Sequence, residues 1–338
     1  MTSIICIIPT SLSKRSIYTL KLLLASLSAS ATGFAALTYE FVTSNTKNTH
    51  QLTAVLLELG IEHKSYVINQ CNQSAGFSEM NNIIFSKYQS SPIDYFLLVN
   101  DDAWVSHSFF KNFARIIKQK RVDIMAPVII DASILTTKRE VIIDSYAVEY
   151  FKSGYAKNST SFANKTQLAA AACLFVSQNV ALSMKQSYGF VFNNILYYYL
   201  EDVEFSIRAR MLGFSIDKSN TLIAYHFGSS TSGKKSYFTM YQTYRNILWL
   251  IILTWPAEYI MRNSVNILIV QVWVLLYGVK SFGIKMYIQI LIDTLSNFKT
   301  LKNMRKKIIT CYKKEAKFKS LFSKLLFRTY HGIKIKAI

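Results

Sequence analysis

Cysteine is scarce and scattered in this 338-residue chain. Cys6, Cys71, Cys173 and Cys311 form no CxxC pair, and no histidine stands at ligand spacing from them. That excludes a disulfide framework and a zinc finger, and it fits a reducing cytoplasm. Cys6 and Cys173 lie in apolar runs and read as small core residues. No GxGxxG and no P-loop occur, so neither a dinucleotide oxidoreductase nor a P-loop NTPase is supported. Internal repeats are absent too. Acidic residues are few, 19 against 39 Lys and Arg, a net charge of +20. The excess is uneven: Lys299 to the C-terminus holds thirteen cations and one acid, Glu315. A nucleic-acid-binding protein should carry its cations as a patch on the folded domain. Here most follow a strongly apolar region, which points instead to an anionic membrane surface and to no nucleic-acid partner. At the other end, Lys14, Arg15 and Lys21 precede Leu22–Ala25 and mimic a signal peptide. A strand-like run, Ser3–Ile8, stands where the basic n-region belongs, and Ile17, Leu20, Leu24 and Leu27 share a helical face. A strand followed by an amphipathic helix is expected, with no export signal.

What is present is a rich core, 51% hydrophobic with 14% aromatics, which rules out a disordered chain. The run Tyr95–Val99 ends abruptly in Asn100-Asp101-Asp102. Such a run reads as a buried strand, and ligands of open α/β sheets sit beyond the strands' carboxyl ends. Two adjacent acids there are stable if a divalent cation shares their charge. The pattern alone also fits a solvated turn capping the next helix. Strand-like runs at Ser3–Ile8, Leu37–Thr43, Tyr66–Ile68 and Tyr95–Val99 alternate with helical patterns at Ser16–Leu27, Gln51–Leu59 and Glu79–Tyr88. This alternation predicts a largely parallel sheet covered by helices. Further strands are expected at Asp123–Ile130, Asp144–Phe151 and Ala169–Ser177. A helix over Glu201–Leu212 closed by Gly213 follows, then a strand to His226 and a polar loop over Gly228–Lys235.

Four motifs occur in order: Gly76-Phe77-Ser78-Glu79-Met80-Asn81-Asn82, Leu98-Val99-Asn100-Asp101-Asp102, the helix from Glu201-Asp202-Val203-Glu204 to Gly213-Phe214, and His226-Phe227-Gly228-Ser229-Ser230. Together they resemble the family 2 glycosyltransferases of GT-A fold, in the branch of bacterial rhamnosyl- and galactofuranosyltransferases of surface polysaccharide synthesis. Tyr244-Arg245-Asn246 before an apolar stretch is similar as well. The resemblance covers about residues 3–260 and implies an α/β nucleotide-sugar-binding GT-A fold; the C-terminal apolar and basic helical region, only generically alike, is read from composition. Together they divide the chain into a catalytic domain, 1–245, and a membrane-associating region, 246–338.

The resemblance also implies roles. Asp102 and His226 match the ligands of a divalent metal, Mn2+ or Mg2+, and Asp202 matches the base of an inverting transfer. Glu201 would orient the acceptor. Pro9, Thr10, Thr43, Asn45, Asn82, Asn100 and Asp101 fall where the family binds its nucleotide sugar, here a UDP- or dTDP-linked one. Arg208 fits a structural ion-pair partner as well as a site residue. Three features depart from the family. Val42–Thr46 lacks the acid that reads the base, the Pro9-Thr10 opening lacks its asparagine, and Ala169–Ala172 stands where a glycine usually lies. Nucleotide and sugar therefore stay open. Other readings are a catalytically impaired relative, a membrane-associated nucleic-acid-binding protein and a two-metal phosphohydrolase, the last short of Asp and His ligands. Ile247–Trp255 and Ser264–Val279 are apolar but short against the roughly 20 residues of a span. For the second run the readings are, in order, an interfacial or re-entrant segment, a tilted span and a plain buried helix. With the basic, apolar-faced tail, the first suggests a peripheral enzyme at the cytoplasmic face of a bacterial inner membrane. The resemblance implies a lipid-linked oligosaccharide acceptor there.

Overall fold

The computed structural model describes residues 1–45, 49–163, 168–228 and 236–313. Its first half alternates as the hydrophobic pattern requires. Strand β1 (Thr2–Pro9) leads to α1 (Lys14–Ala31), then β2 (Ala35–Thr43), α2 (Thr49–Glu58), β3 (Tyr66–Gln70), α3 (Phe77–Lys87) and β4 (Tyr95–Val99). Ile4 to Ile8 of β1 are buried without alternation, the signature of a parallel strand covered on both faces. Helix α1 starts where the Ser13 hydroxyl accepts the Ser16 N–H, and it seats Leu20, Leu23, Leu24 and Leu27 on the sheet. The run that mimics an export signal is thus a core-facing helix.

The second half adds β5 (Ala103–Val105), α4 (Phe109–Gln119), β6 (Ile124–Asp131), α5 (Ala132–Lys138), β7 (Ile143–Ser145), β8 (Ala147–Tyr150), β9 (Ala156–Ser159), β10 (Cys173–Ser177), α6 (Gln178–Tyr188), α7 (Glu201–Met211) and β11 (Ile216–His226). The main sheet runs β3-β2-β1-β4-β10-β6-β11-β5, with β7 also paired to β6, and β8-β9 form a separate ribbon. Strands β3, β2, β1 and β4 are parallel, and β10 enters antiparallel beside β4. The chain leaves β1 toward β2 and returns on its other side as β4, so the strand order reverses between β1 and β4. That switch point opens a crevice at the strands' carboxyl ends.

Two expected strands change on folding. Asp144–Phe151 divides at Tyr146 into β7 on the main sheet and β8 on the ribbon, because the Tyr146 N–H donates to Ser159 O and turns the chain away. Ala169–Ala172 does not extend β10. Its Ala169 and Ala171 N–H groups donate instead to Ser206 Oγ and Asp202 Oδ2 of α7.

Helices α8 (Tyr237–Thr254), α9 (Ala257–Arg262), α10 (Ser264–Phe282), α11 (Ile284–Ser296) and α12 (Phe298–Lys313) complete the described chain. Residue 245 lies inside α8, and Trp249, Leu250 and Trp255 join Leu301 and Ile308 of α12 in the larger core. The apolar run from Ser264 continues to Phe282, giving a 19-residue helix. It is the one helix among the described residues long and apolar enough to cross a membrane by length and composition. Most of the Gly228–Lys235 loop and the tail beyond Lys313, with Phe318, Leu321, Phe322, Leu325, Leu326 and Phe327, lie outside the described residues.

Candidate active site

Two corners face each other across a cavity of about 640 Å³. The first is built from strand ends. Strand β1 delivers Pro9 and Thr10, and β4 delivers Asn100-Asp101-Asp102. The turn after β4 is held by the Asn100 N–H on Ala172 O (3.1 Å) and the Ala103 N–H on Asn100 O (3.1 Å). Antiparallel pairing of β11 with β5 sets His226 opposite Ala103, and the Phe227 N–H donates to Asp102 O. This register brings His226 Nε2 to 3.0 Å from Asp102 Oδ1, with the Asn100 amide 3.2 Å from the same nitrogen. Asp101 is buried, and burial pushes its carboxyl up to about 7. Hydrogen bonds from the Thr10 hydroxyl and the Ser11 N–H oppose that rise, while the neighbouring Asp102 charge adds to it.

One carboxylate oxygen and one imidazole nitrogen converge here, a donor pair that suits a divalent cation. No group of three or more His, Cys, Asp or Glu side chains clusters among the described residues. Asp102 and His226 alone would leave most of a cation's coordination open, unlike a closed structural site.

The second corner is the start of α7. Asp202 accepts the Ala171 N–H through Oδ2 (3.1 Å) and the Val203 N–H through Oδ1 (2.8 Å). Glu201 is buried, and its Oε2 has no hydrogen-bond partner. Withdrawal from water raises both carboxyls above the ordinary carboxylate range, and the Asp202 charge raises Glu201 further. The two N–H donors favour charge on Asp202, so a proton shared by the pair rests on Glu201. A helix N-terminus favours the same ionised Asp202. The two carboxyls stand side by side in environments that hold the proton more tightly on Glu201 than on Asp202.

The residues before α7 are bent in an unusual way. Tyr197 (φ 64°, ψ −72°) makes a γ-turn in which the Tyr198 N–H donates to Leu196 O (2.8 Å). Tyr199 (φ 68°) and Leu200 (φ 65°) also have positive φ. None of the three is glycine.

Of the expected site residues, the structure brings Pro9, Thr10, Asn100, Asp101, Asp102, Glu201, Asp202 and His226 to the cavity wall. It does not bring three others there. Thr43 is fully buried and accepts the Asn45 N–H. The Asn45 amide reaches Ser11 O. Asn82 donates to Phe192 O and Asn194 Oδ1 and accepts from the Phe192 N–H, so its amide fastens α3 to a distant turn. Arg208 is fully buried against Glu204 at 2.6 Å, between the rings of Tyr188 and Phe190, and is a structural residue. Sequence reasoning missed Tyr197, Tyr198 and Phe238, which line the cavity, and Asp144, Lys157 and Asn158 from the β7–β9 region. The tyrosine run directly ahead of Glu201-Asp202 is the one signal that could have pointed to them.

No family model and no curated protein matches the chain. Solved structures do. GalNAc-T7, crystallised with UDP, GalNAc and Mn2+, superposes with a TM-score of 0.58 at 12% identity, over 86% of this chain and 54% of that one. Residues 1–349 of S. aureus TarS superpose at 0.52 with 16% identity, over 96% and 92% of the two chains. A mannosyltransferase from Pyrobaculum calidifontis, in complex with GDP-Man and Mn2+, gives 0.50 at 10% identity over 92% and 86%. The chain spans about half the length of GalNAc-T7 and of the longer TarS structure, 54% in each case. At these identities the likeness is one of fold, and that fold is GT-A.

Proposed function

We propose that the protein is an inverting, metal-dependent glycosyltransferase that moves a sugar from a nucleoside-diphosphate donor to a saccharide hydroxyl. The observation that carries this reading is the facing of two corners across one cavity, an Asp102–His226 pair and the adjacent Glu201 and Asp202 carboxyls. GT-A neighbours solved with UDP, UDP-GlcNAc or GDP-Man support it. Asp102 and His226 would hold the cation, which when bound supplies positive charge against the departing diphosphate. Asp101 and Asn100 stand beside it, with Thr10 ordering Asp101. Asp202 takes the proton of the acceptor hydroxyl as that oxygen bonds to the anomeric carbon. The bond from that carbon to the diphosphate breaks, its electron pair leaves with the nucleoside diphosphate, and the configuration inverts. Glu201, carrying a proton, donates to an acceptor oxygen rather than competing as a second base.

For location we favour the cytoplasmic face of a bacterial membrane and a polyprenyl-diphosphate-linked acceptor. Leu268 (62% exposed), Leu276 (65%) and Leu295 (75%) stand out from α10 and α11, and of α10 only Val270, Val274 and Gly278 are buried. From Ala257 to Lys313 the sequence holds nine Lys and Arg against two acids, Glu258 and Asp293. An apolar face bordered by cations suits an anionic leaflet. The deciding assay incubates the full chain with UDP-, dTDP- and GDP-sugars and Mn2+, with and without a polyprenyl-diphosphate-linked disaccharide. Acceptor-dependent release of one nucleoside diphosphate, lost in Asp202→Asn, is expected. No release from any donor would overturn the reading.

A further inference from the structure

The strained loop ahead of Glu201 needs something to hold it. Left-handed φ values at tyrosine and leucine are unfavourable, and such a run persists only where its surroundings over-determine it. Four braces are visible. The fully buried Asn246 amide lies 2.8, 2.8 and 2.7 Å from the carbonyl oxygens of Leu196, Tyr198 and Tyr199. Arg245 donates to Leu196 O at 3.2 Å and also binds Asn246 Oδ1, fixing the amide's orientation. The Tyr199 hydroxyl meets Thr239 Oγ1 of α8 at 3.2 Å. Gly76 clears the space, since a Cβ there would lie 2.4 Å from the Tyr197 ring and 2.6 Å from its carbonyl oxygen.

Asn246 is the centre of this set. One primary amide reaches carbonyls on both sides of the γ-turn, which a hydrophobic side chain could not do, while Asn246 itself is not among the residues that line the cavity. The loop it holds ends at Leu200, whose carbonyl accepts the Glu204 N–H and so begins α7. Glu201 and Asp202 are the next two residues.

We propose that Asn246 is a positioning residue: it holds the Leu196–Leu200 loop in its strained form and thereby sets where the Glu201 and Asp202 carboxyls stand in the cavity. The inference rests on the proposed transfer reaction for its kinetic consequence, and on geometry alone for its structural one. Donor binding belongs to the opposite corner and is not part of the role.

The test compares the full-length protein with Asn246→Ala, Leu200→Gly and the double variant. Hydrogen exchange should rise in residues 196–202 of Asn246→Ala while protection of β1 and β4 is kept. Mn2+-dependent UDP affinity should stay within about threefold. The kcat for transfer should fall about 10²-fold, the scale of a misplaced catalytic group. Leu200→Gly removes the unfavourable φ at one position, so Asn246→Ala should lower kcat several-fold less in that background. Unchanged exchange at 196–202, equal losses in UDP affinity and kcat, or an undiminished effect of Asn246→Ala in the glycine background would each overturn the proposal. If the wild type transfers no sugar, the functional reading fails, and the exchange comparison still decides whether Asn246 holds the loop.

Discussion

The two corners of the cavity are made differently. The Asp102–His226 corner is built from strand ends, and ladder register does the positioning: His226 faces Ala103 because β11 pairs with β5. The Glu201–Asp202 corner is built from a loop with three positive-φ residues that side chains must hold. A strand end tolerates changes around it, because many backbone bonds share the load. A strained loop depends on a few contacts, and it can place a helix N-terminus where regular structure would not.

That contrast can be broken most severely at the strand-end corner. Asp102→Asn and His226→Ala should each abolish transfer, and circular dichroism and thermal unfolding should show the fold retained. Residual transfer by Asp102→Asn in excess EDTA would remove the cation from the account. At the loop corner, Asp202→Asn should lower kcat by about 10²–10⁴-fold, the range for a lost general base, with UDP binding kept. Equal loss of both would make Asp202 a structural residue.

Away from both corners, Arg208 offers a third comparison. Arg208→Ala leaves the Glu204 carboxylate buried and unpaired and should destabilise the protein by about 3–5 kcal/mol, read by urea unfolding. A loss under about 1 kcal/mol would show that the pair sits closer to water than its geometry implies.

The same contrast marks what could be read from residues alone. The apolar runs of β1 and β4 announce their strands, and an abrupt change to Asn100-Asp101-Asp102 announces a ligand edge. The helix from Glu201 to Met211 was legible from its acidic start and from Gly213. What was not legible is the loop before it. Positive φ usually shows as glycine or asparagine, and here it falls on Tyr197, Tyr199 and Leu200, which carry no such sign. Tyr244-Arg245-Asn246 stood out only as a likeness, and its purpose depends on contacts some fifty residues apart. Asn82 failed for a similar reason: its amide is taken up by Phe192 and Asn194, more than a hundred residues away. Asp144–Phe151 reads as one strand, because a divided partner leaves no mark in hydrophobic pattern.

A gentler change sharpens the electrostatics of the loop corner. Glu201→Gln mimics the protonated carboxyl, so kcat at neutral pH should change only a few-fold. Activity falls as pH drops through the raised Asp202 value, because the base must be charged. Glu201 is already neutral where Asp202 titrates, so the variant should leave that limb in place. Both carboxyls bind protons more tightly folded than unfolded, so stability falls as pH rises from the ordinary carboxylate range through the raised values. Glu201→Gln should flatten that fall in thermal melts across pH. A shift of the activity limb to lower pH in the variant would reverse the assignment of the proton.

The smallest expected effect on chemistry lies on the outer helices. Leu268→Glu with Leu276→Glu should weaken sedimentation with anionic vesicles while leaving UDP binding unchanged. Undiminished vesicle binding would move membrane contact off the α10 face.

The central claim is that Asp102 and His226 hold a cation that in turn holds a nucleoside diphosphate. Calorimetric titration of UDP, dTDP and GDP into the full chain, with Mn2+ and then with EDTA, measures this directly. The account predicts that one of the three binds with Mn2+, loses that binding in EDTA, and fails to bind to Asp102→Asn under either condition. Equal binding with and without the metal, or unaltered binding by Asp102→Asn, would contradict it.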